Sequence, residues 1–167
     1  MDRLWAPWRL SYVTAVPAAS TDCIFCDAFN SADAELTVFR GRFSFVILNL
    51  YPYNNGHLMV VPNRHLNALA ALTPDEQTEM MSLTRLSEMA LTETFHPQGI
   101  NVGINLGKAA GAGIENHLHI HLVPRWAGDT NFMTAIGETR VLPEDLRQTA
   151  ARLRPIFEAL AQSQCVK

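Results

Sequence analysis

The sequence contains no run of 18 or more apolar residues, so it offers no helix able to span a bilayer, and no membrane partner is expected. Its first residues, Met1-Asp2-Arg3-Leu4-Trp5-Ala6-Pro7-Trp8-Arg9, lack the apolar core of a secretory signal, and the expected location is cytoplasmic. Cysteine is scarce: Cys23, Cys26 and Cys165 are all there are. An odd count in such a chain argues against a disulfide framework, and Cys165 reads as a free thiol in the tail. Positive charge is not in excess either, with 13 Lys and Arg against 16 Asp and Glu and a net charge of -3. That excludes the broad cationic face of a nucleic-acid binder, while a pocket for one nucleotide needs only local charge. Internal repeats and low-complexity tracts are also missing. A content of 48% hydrophobic and 17% charged residues over 167 residues describes one globular domain with a sizeable core.

Secondary structure is legible in outline. An arm carrying Trp5, Trp8, Arg9 and Tyr12 and the Ala/Ser/Pro-rich stretch 14–22 precede the domain, and two tryptophans call for cover from the body or a second subunit. Strand composition marks residues 36–40, 43–50 and 57–61, a meander broken at Gly41 and at Pro52–Gly56. Thr73-Pro74-Asp75-Glu76 is a capping box with proline at the first helical position, so a helix starts there and stops before Pro97. Two further strands follow at 100–106 and 117–124, joined by the Gly-rich loop 107–113. A last helix begins near Pro143, where Leu146, Ala150, Leu153, Phe157 and Leu160 form a helical stripe and Pro155 predicts a kink or a break. The order strands, helix, strands, helix implies an α+β fold with a mainly antiparallel five-stranded sheet, one long helix and a C-terminal helix.

Three of the six histidines fall in Glu115-Asn116-His117-Leu118-His119-Ile120-His121-Leu122-Val123-Pro124-Arg125-Trp126. Alternation along a strand places His117, His119 and His121 on one face, roughly 6.6 Å apart in sequence, and Leu118, Ile120 and Leu122 in the core. Incidental polarity is a weak explanation for such density. A three-histidine metal site is another reading, but successive same-face histidines splay and converge poorly on one ion. A row of imidazoles suits nucleophilic, acid-base and hydrogen-bonding work. Gly107, Gly111 and Gly113, which let backbone amides approach an anion, and Lys108 lead straight into it. Cys23-Ile24-Phe25-Cys26 is a CxxC, open to a redox pair, a metal half-site or chance, although the strand-to-helix setting of the redox motif is absent. His96 reads as a helix-end residue, Arg125 as a phosphate contact or ion pair, and Trp126 as a base-stacking, core or dimer residue.

His117-Leu118-His119-Ile120-His121-Leu122-Val123 resembles the His-φ-His-φ-His-φ-φ signature of the histidine-triad (HIT) superfamily. Asn49, Gly56-His57-Leu58-Met59-Val60-Val61-Pro62 and Asn105 follow in the family's order, and the likeness spans about Cys23 to Trp126. Asn49-Leu50-Tyr51-Pro52-Tyr53-Asn54-Asn55-Gly56-His57, and His121 to Trp126 followed by Gly128-Asp129-Thr130-Asn131-Phe132, resemble the bacterial diadenosine tetraphosphate phosphorylases. The resemblance implies a HIT-like fold over 23–137, with 1–22 as an arm and 138–167 as a helix and tail packed on it.

It also implies a chemistry: His119 attacks the α-phosphorus of a dinucleoside polyphosphate and forms a covalent nucleotidyl-histidine, released by phosphate or water. By family position His121 bonds phosphate oxygens, His57 supports the triad, Asn49 holds the ribose, and Asn105 contacts phosphate or the leaving group. Gly111 and Gly113 serve through their backbone, with Gly113 standing where many members carry Ser or Thr. Related proteins bind zinc through two cysteines and two histidines, which proposes Cys23, Cys26, His65 and His117 as a closed, structural tetrahedron. A homodimer is implied as well. A nucleoside phosphoramidase using the same nucleophile, and a nucleotide-binding sensor with weak catalysis, remain alternatives. A sugar-phosphate nucleotidylyltransferase does not fit, because that family replaces the third histidine by glutamine.

Overall fold

The computed structural model describes residues 23–31, 35–130 and 142–164. The aromatic arm, Cys165 and Asn131-Phe132 lie outside the described residues. Helix α1 (Ile24–Asn30) is followed by strands β1 (Thr37–Arg40), β2 (Ser44–Leu48) and β3 (Leu58–Pro62), then helix α2 (Pro74–Phe95). Strands β4 (Gly99–Ile104) and β5 (Ile120–Arg125) and helix α3 (Leu146–Gln164) complete the described elements, with single 3₁₀ turns at Leu69–Ala71 and Lys108–Ala110. The sheet has five strands in the order β1-β2-β3-β5-β4, and every neighbouring pair is antiparallel. This is the α+β, HIT-like architecture that the sequence implies.

The sheet is covered on both faces at its centre, so β2 and β3 are buried at every position and show no alternation. Val46, Leu48, Leu58, Val60, Ile120 and Leu122 face the core beneath α2 and α3. Their neighbours Phe45, Ile47, Met59 and Val61 face the other way and are closed over by Phe25 of α1. No pattern in the sequence marks helix α1. Its seven residues are too few to show a helical period, and what forms it is burial of Phe25 rather than propensity.

The long helix starts as its capping box dictates: Thr73 accepts from the Glu76 amide and Glu76 accepts from the Thr73 amide. The Glu76 carboxylate also accepts from both Arg64 Nε and Arg64 Nη2, each at 2.8 Å, which folds residues 63–72 back onto the start of α2. The guanidinium beside it holds Glu76 down to about 2. At the other end, α2 stops with His96 in the left-handed region, φ 47°, immediately before Pro97.

Two expectations need correction. Pro155 does not break the last helix, which runs unbroken from Leu146 to Gln164. Pro155 and Ala151, whose carbonyl loses its partner, both lie on the exposed side, where solvent can reach that carbonyl, while Ala150, Leu153 and Phe157 are buried. The fifth strand begins at Ile120 rather than His117, because the backbone before it leaves the ladder: the Leu118 amide donates to Leu66 O instead.

Candidate active site

That early exit from the ladder sends the three histidines to different neighbours. His117 is 1% exposed and reaches past the end of β3 towards α1. Its Nε2 lies 2.9 Å from Pro62 O, and a carbonyl only accepts, so Nε2 carries the proton and Nδ1 keeps its lone pair. That Nδ1 is 3.2 Å from Cys23 Sγ and 3.7 Å from Cys26 Sγ, and Cys26 Sγ is 3.3 Å from His65 Nδ1. The four donor atoms all lie within 4.8 Å of one another. A tetrahedral ion with zinc's bond lengths holds sulfur and nitrogen ligands about 3.5 Å apart, so the cluster has the size of a zinc site. Burial and the adjacent Cys23 thiol push the Cys26 thiol up, so Cys26 resists ionising without a cation beside it. The cluster can bind a metal, and these residues fit one.

His119, 4% exposed, is fixed by its neighbour's backbone: its Nδ1 donates to His117 O at 2.8 Å, which leaves Nε2 unprotonated. The Phe25 ring lies against both imidazoles, with centroids 5.4 Å from His117 and 5.1 Å from His119. Burial lowers the pKa of His119, partly offset by the bond to His117 O. The ring is therefore neutral at pH 7 and presents one lone pair.

His121 ends a chain of bonds with a determined direction. The Tyr53 amide donates to His57 Nδ1 at 3.1 Å, so the neutral His57 ring carries its proton on Nε2. His57 Nε2 donates to His121 Nδ1 at 2.9 Å, which leaves the His121 proton on Nε2. Asn49 fits the same logic. Its Oδ1 accepts from the Tyr51 amide at 3.0 Å, which fixes the amide's orientation and turns Nδ2 to His57 Nδ1 at 3.3 Å. Burial, and then the neighbouring His119, push His121 down to about 4. His119 and His121 stand edge to face with centroids 4.7 Å apart. One offers a lone pair and the next an N–H donor. Gly56 makes the turn that delivers His57: its φ is +73° and an added Cβ would meet Leu91 and Phe95 at 3.1 Å.

The Gly-rich loop is used differently from the expectation. The Gly111 amide donates to Lys108 O and the Ala112 amide to Gly107 O, while Asn105 Nδ2 donates to Gly111 O. Gly111 thus shapes the loop and has no N–H to offer an anion; Gly113 is exposed and its amide has no partner among the described residues. Arg125 resolves to an ion pair, with Nε 2.6 Å and Nη2 2.9 Å from the Asp129 carboxylate, and its Nη1 donates to Asn101 Oδ1. His96 is the left-handed cap of α2 and stands apart from the site.

Sequence reasoning missed Tyr53 and Phe25. Tyr53 fixes a tautomer through its amide, which no side-chain pattern reveals, and Phe25 sat unremarked inside the CxxC.

An antiparallel five-stranded sheet with three histidines on and before its fourth strand in space, and a Cys₂His₂ cluster at one end, defines a histidine-triad protein. Residues 33–128 match the HIT domain, and the chain belongs to that family. It is 43% identical over 157 residues to an Ap4A phosphorylase of Mycobacterium tuberculosis, covering 89% of this chain and 80% of the relative. It is 34% identical over 128 residues to a bis(5'-adenosyl)-triphosphatase of Dictyostelium discoideum, covering 72% of this chain and 84% of that protein. A zinc-bound histidine triad family protein from Mycobacterium smegmatis superposes with a TM-score of 0.70 at 28% identity, covering 86% of this chain and 98% of that one.

Proposed function

We propose that this protein transfers the nucleotidyl group of a dinucleoside polyphosphate, as a phosphorylase or hydrolase acting through a covalent intermediate on His119. The observation that carries the reading is the set of proton positions: His119 Nε2 is bare and His121 Nε2 bears hydrogen, side by side. The 43% identical Ap4A phosphorylase favours phosphate as the second nucleophile.

In the first step His119 Nε2 forms a bond to the α-phosphorus, and the P–O bond to the departing nucleoside polyphosphate breaks with its electrons on that oxygen. The Nδ1 proton held on His117 O lets the charge that grows on the ring meet a carbonyl dipole. His121 donates Nε2–H to a phosphoryl oxygen, and His57 behind it answers the demand for charge. In the second step an oxygen of phosphate or water attacks phosphorus and releases its proton to solvent, and the P–N bond breaks with its electrons returning to Nε2 to restore neutral His119. Asn49 is engaged with His57 and Tyr51, so contact with a ribose would run alongside that bond rather than replace it.

Cys23, Cys26, His65 and His117 would hold a structural zinc ion. Its part would be to fix His117, whose carbonyl orients His119, and not to act on the substrate. The homodimer fits the two sheet edges. At β1, Arg154 of α3 donates to Thr37 O and Glu35 O and covers the edge. β4 carries no charge and no proline and is exposed along most of its length, which is the kind of edge a second copy pairs with.

The test is product analysis of diadenosine tetraphosphate incubated with and without phosphate. ADP plus ATP formed only with phosphate establishes a phosphorylase, and AMP plus ATP without it a hydrolase. No turnover in either condition overturns the reading and returns the phosphoramidase and sensor alternatives.

A further inference from the structure

Beside His121 the same face of the sheet continues as a groove of about 410 Å³. This lies within the roughly 300–1,000 Å³ range of small-molecule sites. Its floor follows from strand alternation. His121, Val123 and Arg125 of β5 face it, and across the ladder they pair with Gly103, Asn101 and Gly99 of β4. The two glycines leave the floor low: nothing lies within 4 Å of a Cβ built on either. From His121 to Arg125 the groove runs about 13 Å along the strand. Tyr53 and Asn54, from the loop between β2 and β3, also line it.

The far end is polar but carries no net charge. Arg125 is paired to Asp129, and the same carboxylate accepts from Asn54 Nδ2 at 2.7 Å and the Trp126 amide at 3.2 Å. Two amide atoms are left over: Asn101 Oδ1 accepts from Arg125 and Asn105 Nδ2 donates to Gly111 O, so Asn101 Nδ2 and Asn105 Oδ1 have no partner among the described residues. Tyr53 and Val123 supply apolar surface between the polar ends. With its one guanidinium neutralised, this is a poor phosphate site. Neutral donors and acceptors next to apolar surface suit a nucleobase and its sugar.

We propose that this groove seats the second, departing nucleoside of the substrate, with Asn101 as a specificity-determining contact. The proposal rests on the function proposed above, and it makes the protein a reader of both ends of a dinucleoside polyphosphate rather than of one nucleotide with any leaving group.

Binding separates the two claims. Calorimetry would compare a methylene-bridged, non-hydrolysable diadenosine tetraphosphate with a methylene-bridged ATP analogue, which lacks the second nucleoside. The wild-type protein is expected to bind the dinucleoside at least about tenfold more tightly. Asn101→Trp, which fills the groove, brings the ratio to about one; Thr130→Trp at the rim does the same and serves as the second variant should the first melt early. A wild-type ratio near one, or a ratio that survives both substitutions, overturns the proposal. Turnover of diadenosine tetraphosphate without a binding preference removes the groove's role and spares the function. A preference without turnover spares the groove and removes the function.

Discussion

His117 and His121 occupy equivalent places in one repeating motif, four residues apart, yet their surroundings give them different work. His117 turns its proton to a carbonyl and its lone pair to two thiols. His121 accepts a hydrogen bond from His57 and turns its own N–H outward beside the groove. Each imidazole has two nitrogens, and whatever engages the first decides what the second can do. Between them His119 is tied to the first half by its bond to His117 O and to the second by ring contact with His121. In the proposed reaction one end of the motif holds and the other reacts.

The sharpest way to break this division is at its middle. His119→Ala should lower turnover by about 10⁴-fold or more while nucleotide affinity stays within a few-fold, read by steady-state rates and calorimetry. A loss below about tenfold would mean that another group attacks phosphorus.

At the holding end, Cys23→Ser should abolish stoichiometric zinc, read by metal analysis, and cost several kcal/mol of stability. Activity should fall as well, although Cys23 lies outside the reacting set, because freed His117 no longer aims His119. Full activity without metal would disconnect the two halves. At the reacting end, His121→Phe should cost about 10²–10³-fold in kcat, the scale for losing one donor to developing charge, with zinc content unchanged.

The smallest effect is on stability against pH. His121 sits near 4 against an ordinary 6.5, and burial shifts His117 and His119 in the same direction. Between those values the unfolded chain binds protons that the folded chain refuses. Stability is therefore complete above pH 6.5 and falls as pH drops towards 4, by about 2 kcal/mol for His121 after allowance for its partial exposure. Denaturant titrations at pH 7 and about pH 4.5 read the slope, which His121→Phe should reduce; an unchanged slope would show that His121 protonates freely in the fold.

The sequence shows the two halves unequally. The capping box at Thr73, the meander and the stripe on the last helix are local patterns, and each is present where the pattern lies. The histidine motif is local too, but strand alternation alone would have kept His117, His119 and His121 on a regular face. The bond from the Leu118 amide to Leu66 O, across more than fifty residues of chain, takes the first two off the ladder. Nothing near either residue encodes it. The tautomers are hidden for the same reason: they depend on the Tyr53 amide and on the carbonyls of Pro62 and His117, atoms that every sequence has. Asn101 and Asp129 draw no notice as single polar residues and gain meaning only when β4 lies beside β5.

The most direct test of the account is to trap the intermediate. The protein would be mixed with diadenosine tetraphosphate without added phosphate, quenched in alkali on the millisecond scale, and mapped by mass spectrometry. The account predicts a burst of one product and a nucleotidyl adduct on the peptide bearing His119. Turnover with no adduct, together with inversion of configuration at a chiral α-phosphorus, would show a single direct displacement and contradict it.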